Sequence, residues 1–220
     1  MSSHLHPEIQ CGLSSARQPD VLPQLLHEVR QPLCGIESIA YYLEIALDGQ
    51  DESVRRQCGN IRSMVRQASW LLDDAAIGAA AHNAAPGTVC PNGVVLDIAE
   101  RLALHDERPL HLDLPRHAPT VRVNETLLRR ILEHVLCFFH DVAEASKPVR
   151  IGSRPGQTSL SLLISGAIHP DRRRELTSLF ESLRPGGLAA ALAAIGGHLE
   201  ISSTPGCLEV ALLLPTVPHD

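Results

Sequence analysis

The sequence predicts an α+β protein: an N-terminal antiparallel helical hairpin, paired with a second copy as a dimeric four-helix bundle, followed by an α/β sandwich. Three observations lead there. Apolar residues in the first third recur in alternating steps of four and three, a Pro/Gly-rich break ends that period, and alternating strands then interleave with amphipathic helices. The expected division is a flexible leader over 1–18, the hairpin over 19–84 and the sandwich over 85–220.

The leader, "MSSHLHPEIQCGLSSARQPD", lacks both a basic start and an apolar centre, so it does not read as a secretion signal. From Leu22 the series Leu22, Leu26, Val29, Leu33, Ile36, Ala40, Leu43 and Leu47 is a heptad seam. Gly49 is the expected helix stop and Asp51 or Ser53 the next cap, after which Val54, Cys58, Ile61, Val65, Ala68, Leu72 and Ala75 form the second stripe. Leu25, Ile39, Met64 and Leu71 widen both faces beyond what one hairpin can bury, and pairing two hairpins removes that cost. A homodimer is the economical solution.

"AAAHNAAPGTVCPNG", residues 79–93, interrupts the helical period, which sets the boundary near Ala85. Beyond it a helix is expected over Gly93–Leu104, strands at Leu110–Leu114 and Thr120–Val123, and a helix over Glu125–Ala145. Strands at Val149–Ser153 and Ser159–Ser165, a helix over Gly187–Ile195, and strands at His198–Ser203 and Leu208–Leu214 complete the reading. Gly186, Gly187, Gly196 and Gly197 read as start and stop signals of an Ala-rich helix rather than as a phosphate loop.

Composition narrows the function. Nineteen Lys and Arg against twenty-five Asp and Glu give a net charge of −6, which argues against a nucleic-acid surface. The longest apolar run, Leu188–Ile195, is far short of the roughly twenty residues a bilayer crossing needs, so no membrane association is expected. Six unpaired cysteines, most of them inside apolar patterns, suit a reducing cytoplasm. Twelve histidines are scattered without metal-ligand spacing, and no metal or cofactor is expected.

One histidine stands apart. In "LLHEVRQPLCGI" His27 lies about 100° round the helix from Leu26, in a row with Gln24, Gln31, Cys34, Gly35 and Ser38, so the ring faces outward among small and polar neighbours. An exposed imidazole can take a phosphoryl group when an adjacent carboxylate, here Glu28, accepts its proton and orients the ring. "HEVRQPLCGI" resembles the phospho-acceptor box of two-component histidine kinases, on the first helix of their dimerisation and phosphotransfer hairpin. That resemblance implies phosphorylation of His27, acid–base work by Glu28 and water placement by Gln31. Docking of a receiver domain would fall on Gln24, Arg30, Cys34, Gly35 and Ser38.

From about Cys90 onward the element order is similar to the ATP-binding domain of the same family, with its chemistry missing. Aligned on that family, "VRVNETLLRRILEHVLCFF" has His134 and Phe138 where two asparagines normally stand, and phenylalanine cannot hold a Mg²⁺ ion that demands oxygen ligands. In "LSLLISGAIHPDRRRELTSLFE" Gly166 takes the place of the aspartate that accepts from adenine. Only Ser182 to Gly186 separates "LFE" from "GLAAALAAIGG", where the family inserts a long lid. The closing hairpin, "GGHLEISSTPGCLEVALLLP", keeps its turn at Gly206 and its alternating strand.

The resemblance therefore implies a degenerate ATPase-like domain and a histidine phosphotransferase without autokinase activity. It would relay phosphoryl groups between receiver-domain aspartates of response regulators or hybrid kinases. Two other readings stay open: an active though divergent kinase, labelled by ATP alone, and a binding module that sequesters a receiver or a kinase. A phosphatase acting through Gln31 is a variant of the relay.

Overall fold

The computed structural model describes residues 21–47, 52–85, 87–103, 109–169, 176 and 186–217. The expected leader, the turn signals Gly49 and Asp51, and most of the segment where a lid would stand lie outside the described residues.

Two long helices open the fold, α1 over Val21–Ala46 and α2 over Glu52–Asn83. The heptad seam divides between two destinations. Leu26 and Ala40, in one column with Leu33 and Leu47, are buried, as are Cys58 and Val65 of α2, whereas Val29, Ile36 and Leu43 are 44%, 45% and 43% exposed. One column of the repeat thus closes the hairpin and the other faces out of it. A Glu44–Arg62 ion pair of 2.8 Å, with the guanidinium over the Tyr41 ring, joins the helices toward the end where the chain passes from α1 to α2.

Helix α2 outruns the expected stripe by a full two turns past Ala75, and that extension carries it onto the second half of the molecule. There α3 (Pro91–Ala103), α4 (Glu125–Val142) and α5 (Gly187–Ala194) cover one face of a five-stranded sheet. The strands are β1 (Leu110–Asp113), β2 (Val149–Pro155), β3 (Ser159–Ala167), β4 (His198–Thr204) and β5 (Cys207–Pro215), in the spatial order β1-β2-β3-β5-β4. Only β1 and β2 are parallel.

The sheet follows from period two. Leu160, Leu162 and Ile164 on β3 register against Leu214, Leu212 and Val210 on β5, all fully or nearly fully buried on the helix side. Helix α4 answers with Leu128, Ile131, Leu132, Val135 and Phe139. Each such side chain contributes about 1.5–3 kcal/mol on leaving water. Asn124 starts α4 by accepting from the Leu127 amide at 3.3 Å.

One expected strand shrinks to a single bridge. At 120–123 only Val121 pairs, with Val89 on one side and Thr216 on the other. Val123 N–H already turns back to the Val121 carbonyl, directing the chain into the α4 cap before a second ladder residue can form. Gly196 and Gly206, at φ +75° and +80°, end α5 and turn β4 into β5, as a missing Cβ permits.

Candidate functional site

Helix α1 presents His27 to solvent because its neighbour Leu26 is drawn into the hairpin core, 7% exposed. Gln24, Glu28, Gln31, Cys34, Gly35 and Ser38 are exposed with it, and Arg30 is half-buried. A Cβ added at Gly35 would meet nothing within 4 Å, so the small-residue side of this face is open.

The local hydrogen bonds assign roles. Gln31 Nε2 lies 3.1 Å from His27 Nε2, and since an amide nitrogen only donates, the ring nitrogen accepts. In the neutral ring the proton therefore sits on Nδ1, with the Nε2 lone pair engaged by Gln31. Glu28 turns the other way: Gln24 Nε2 donates to its Oε1 at 3.0 Å. The carboxylate is one residue from the imidazole in sequence yet bonded to a different partner. Ser38 spends its hydroxyl on the Cys34 carbonyl, 2.9 Å away. Arg30 points inward to an ion pair with Asp73 of α2, away from the row it was expected to serve.

A second group of the residues singled out by the sequence, His134, Phe138 and Gly166, lies inside the sandwich. Phe138 is buried and lies 4.9 Å, ring centre to ring centre, from Trp70 of α2. Trp70 Nε1 donates to Asp141 at 3.1 Å, so its ring is fixed at both ends. His134 is buried beside it, and that burial pushes its imidazole below the ordinary value, against the pull of Asp74 and Asp73. At Gly166 a Cβ would come within 2.9 Å of Phe139 and 3.1 Å of Ala143, which fill the space over that glycine.

Helix α2 also reaches α5. The Asp74 carboxylate accepts from the first two amides of α5, Gly187 at 2.5 Å and Leu188 at 2.8 Å. Gly78 and Gly187 meet backbone to backbone. Helix α2 is thus wedged between α4 and α5. A cleft of about 700 Å³ lies between the hairpin and α4, bordered by Leu26, Arg30, Trp70, Asp73, Arg130 and His134.

Sequence reasoning placed the α1 row but missed Trp70, Asp73, Asp74 and Gly78. A signal was present in "WLLDDAAIG", where two acids and a glycine interrupt an apolar stripe at helical spacing. Their partners lie more than forty residues away, which no local pattern discloses.

No protein-family model matches the chain, and no curated protein matches it. Solved structures do. Full-length ShkA, crystallised in complex with AMPPNP, superposes with a TM-score of 0.55 at 20% identity, over 92% of this chain and 47% of that one. The Acinetobacter baumannii histidine kinase AdeS gives 0.53 at 16%, over 87% of this chain and 98% of that one. The chain thus spans about half the length of ShkA and nearly all of the AdeS structure it matches. Both halves of the fold, hairpin and sheet, fall inside the matched region, and the chain shares the fold of these histidine kinase structures: an N-terminal helical hairpin joined to an ATPase-like α/β sandwich.

Proposed function

We propose that this chain is a histidine phosphotransfer protein of two-component signalling, taking a phosphoryl group from one receiver-domain aspartate on His27 and passing it to another. The observation that carries the reading is a contrast within one structure. His27 is exposed, its Nε2 bonded only to a helix neighbour that solvent can replace, while Phe138 and Gly166, which align with the family's nucleotide-site positions, are packed against Trp70 and Phe139. Phosphoryl transfer asks the protein mainly for positioning and charge, so an exposed, oriented imidazole suffices when the partner brings the rest.

In the forward step His27 Nε2 attacks phosphorus of the receiver's phospho-aspartate. The N–P bond forms as the acyl P–O bond breaks, and the aspartate carboxylate leaves toward the receiver's own Mg²⁺. The imidazolium loses its Nδ1 proton, with Glu28 as acceptor once it exchanges Gln24 for the ring. Gln31 must release Nε2 before attack. Receiver contact falls on Gln24, Cys34, Gly35 and Ser38, with Arg30 at the margin. The outward column Val29, Ile36 and Leu43, seven residues apart, gives a second hairpin a surface to pair with as a homodimer.

The test is to mix the purified protein with a phosphorylated receiver. Acid-labile label is expected on the protein and absent in His27→Ala. ATP alone should give no label, and if it does the proposed loss of nucleotide chemistry is wrong.

A further inference from the structure

The two halves of the molecule share helix α2, and they share it through groups that nothing in the relay chemistry requires. Asp74 is 4% exposed and reaches α5 across more than a hundred residues of sequence. Its two oxygens take one amide each, Oδ2 from Gly187 and Oδ1 from Leu188. Those amides open a helix, so they have no intrahelical acceptor and sit at the positive end of its dipole. A carboxylate supplied from another helix satisfies both requirements at once.

The glycines make this contact close. A Cβ at Gly187 would lie 1.8 Å from the Asp74 carbonyl oxygen, and one at Gly78 would lie 2.8 Å from the Gly187 Cα. Both obstacles are backbone, which cannot rotate aside. A second attachment lies one helical turn earlier, where Trp70 stacks on Phe138 and bonds Asp141 of α4. Helix α2 is continuous from Glu52 to Asn83, so no break separates the part packed on α1 from the part packed on the sandwich.

We propose that Asp74, Gly78 and Trp70 form a built-in lock that holds the sandwich at one orientation on α2 and prevents it from swinging about the hairpin. Two attachments on different sandwich helices remove rotation about either one alone. The α5 N-terminus is held by the chain's own carboxylate. The lock is independent of what His27 does and stands or falls separately from the relay.

The experiment uses the full-length protein carrying spin labels on unnatural side chains at the exposed positions Asn60 and Glu200, diluted with unlabelled protein so that only distances within one chain are read. Wild type gives one narrow distance peak. Asp74→Ala and Gly78→Ala each broaden it by about twofold, on the scale of a hinge released between domains. Hydrogen exchange of the β3 and β5 amides reports that the sandwich is still folded. Unchanged peak widths in both variants overturn the proposal. If Asp74→Ala loses sheet protection, Asp74→Asn, which keeps shape and one acceptor oxygen, is read in its place, and an unchanged width there is equally fatal.

Discussion

The outer face of α1 and the inner face of α2 sit on neighbouring helices of one hairpin and obey opposite rules. On the outward row of His27 the side-chain hydrogen bonds Gln31 to His27 and Gln24 to Glu28 close within four residues, and each group stays in water. On α2, Trp70 and Asp74 are buried and bond to residues 71 and more than 110 positions away. The first arrangement is cheap to break, because solvent replaces each lost bond, and so it can rearrange when a partner arrives. The second cannot exchange with water without leaving buried donors unpaired. The proposed reactive face thus lies where rearrangement is easy, and the packed contacts where it is not.

That contrast can be broken in graded steps. The largest effect is on chemistry alone: His27→Ala should abolish transfer from a phosphorylated receiver while leaving the thermal midpoint within about a degree, as expected for an exposed residue whose loss costs under about 0.5 kcal/mol. A midpoint that falls by many degrees would mean the α1 face is structural after all. Ile36→Asp should come next. A charge in the outward column should convert a dimer to monomers in sedimentation while far-ultraviolet circular dichroism holds, since the side chain is about half exposed in the single chain.

Gly166→Ala acts on the interior. With Phe139 2.9 Å from the new methyl, urea unfolding should report a loss of about 1–3 kcal/mol, the usual range for overpacking a filled core. The smallest effect is electrostatic and concerns His134. Burial depresses its folded pKa below the unfolded value of 6.5, so the unfolded chain binds more protons as the pH falls. Stability should therefore be full above 6.5, decline below it, and level off beneath the folded pKa. His134→Phe should flatten that acid-side slope in denaturation curves taken between neutral and mildly acidic pH. An unchanged slope would mean the decline comes from other groups.

Much of the fold was legible because it is written in periods. The heptads of α1 and α2 and the alternation along β3 and β5 are local, and apart from the C-terminal extension of α2 each found element begins and ends within a few residues of its expected span. The missing strand at 120–123 was illegible because its apolar alternation is outbid by the cap of α4, a tertiary commitment of Asn124 and Val121. At the site, the outward direction of His27 could be read from its angle to Leu26. The partner of Glu28 could not: a carboxylate beside an imidazole in sequence has several bonds within reach, and packing selects Gln24.

Sequence by itself determined that two heptad helices precede an open sheet and that one imidazole faces water, because period and composition act over a few neighbouring residues. Tertiary structure alone decided how the seam splits between inner and outer columns. It also decided that α2 reaches both α4 and α5. Both outcomes depend on which surfaces meet, and a meeting between Asp74 and Gly187 is fixed by the packing of the whole chain rather than by any segment of it.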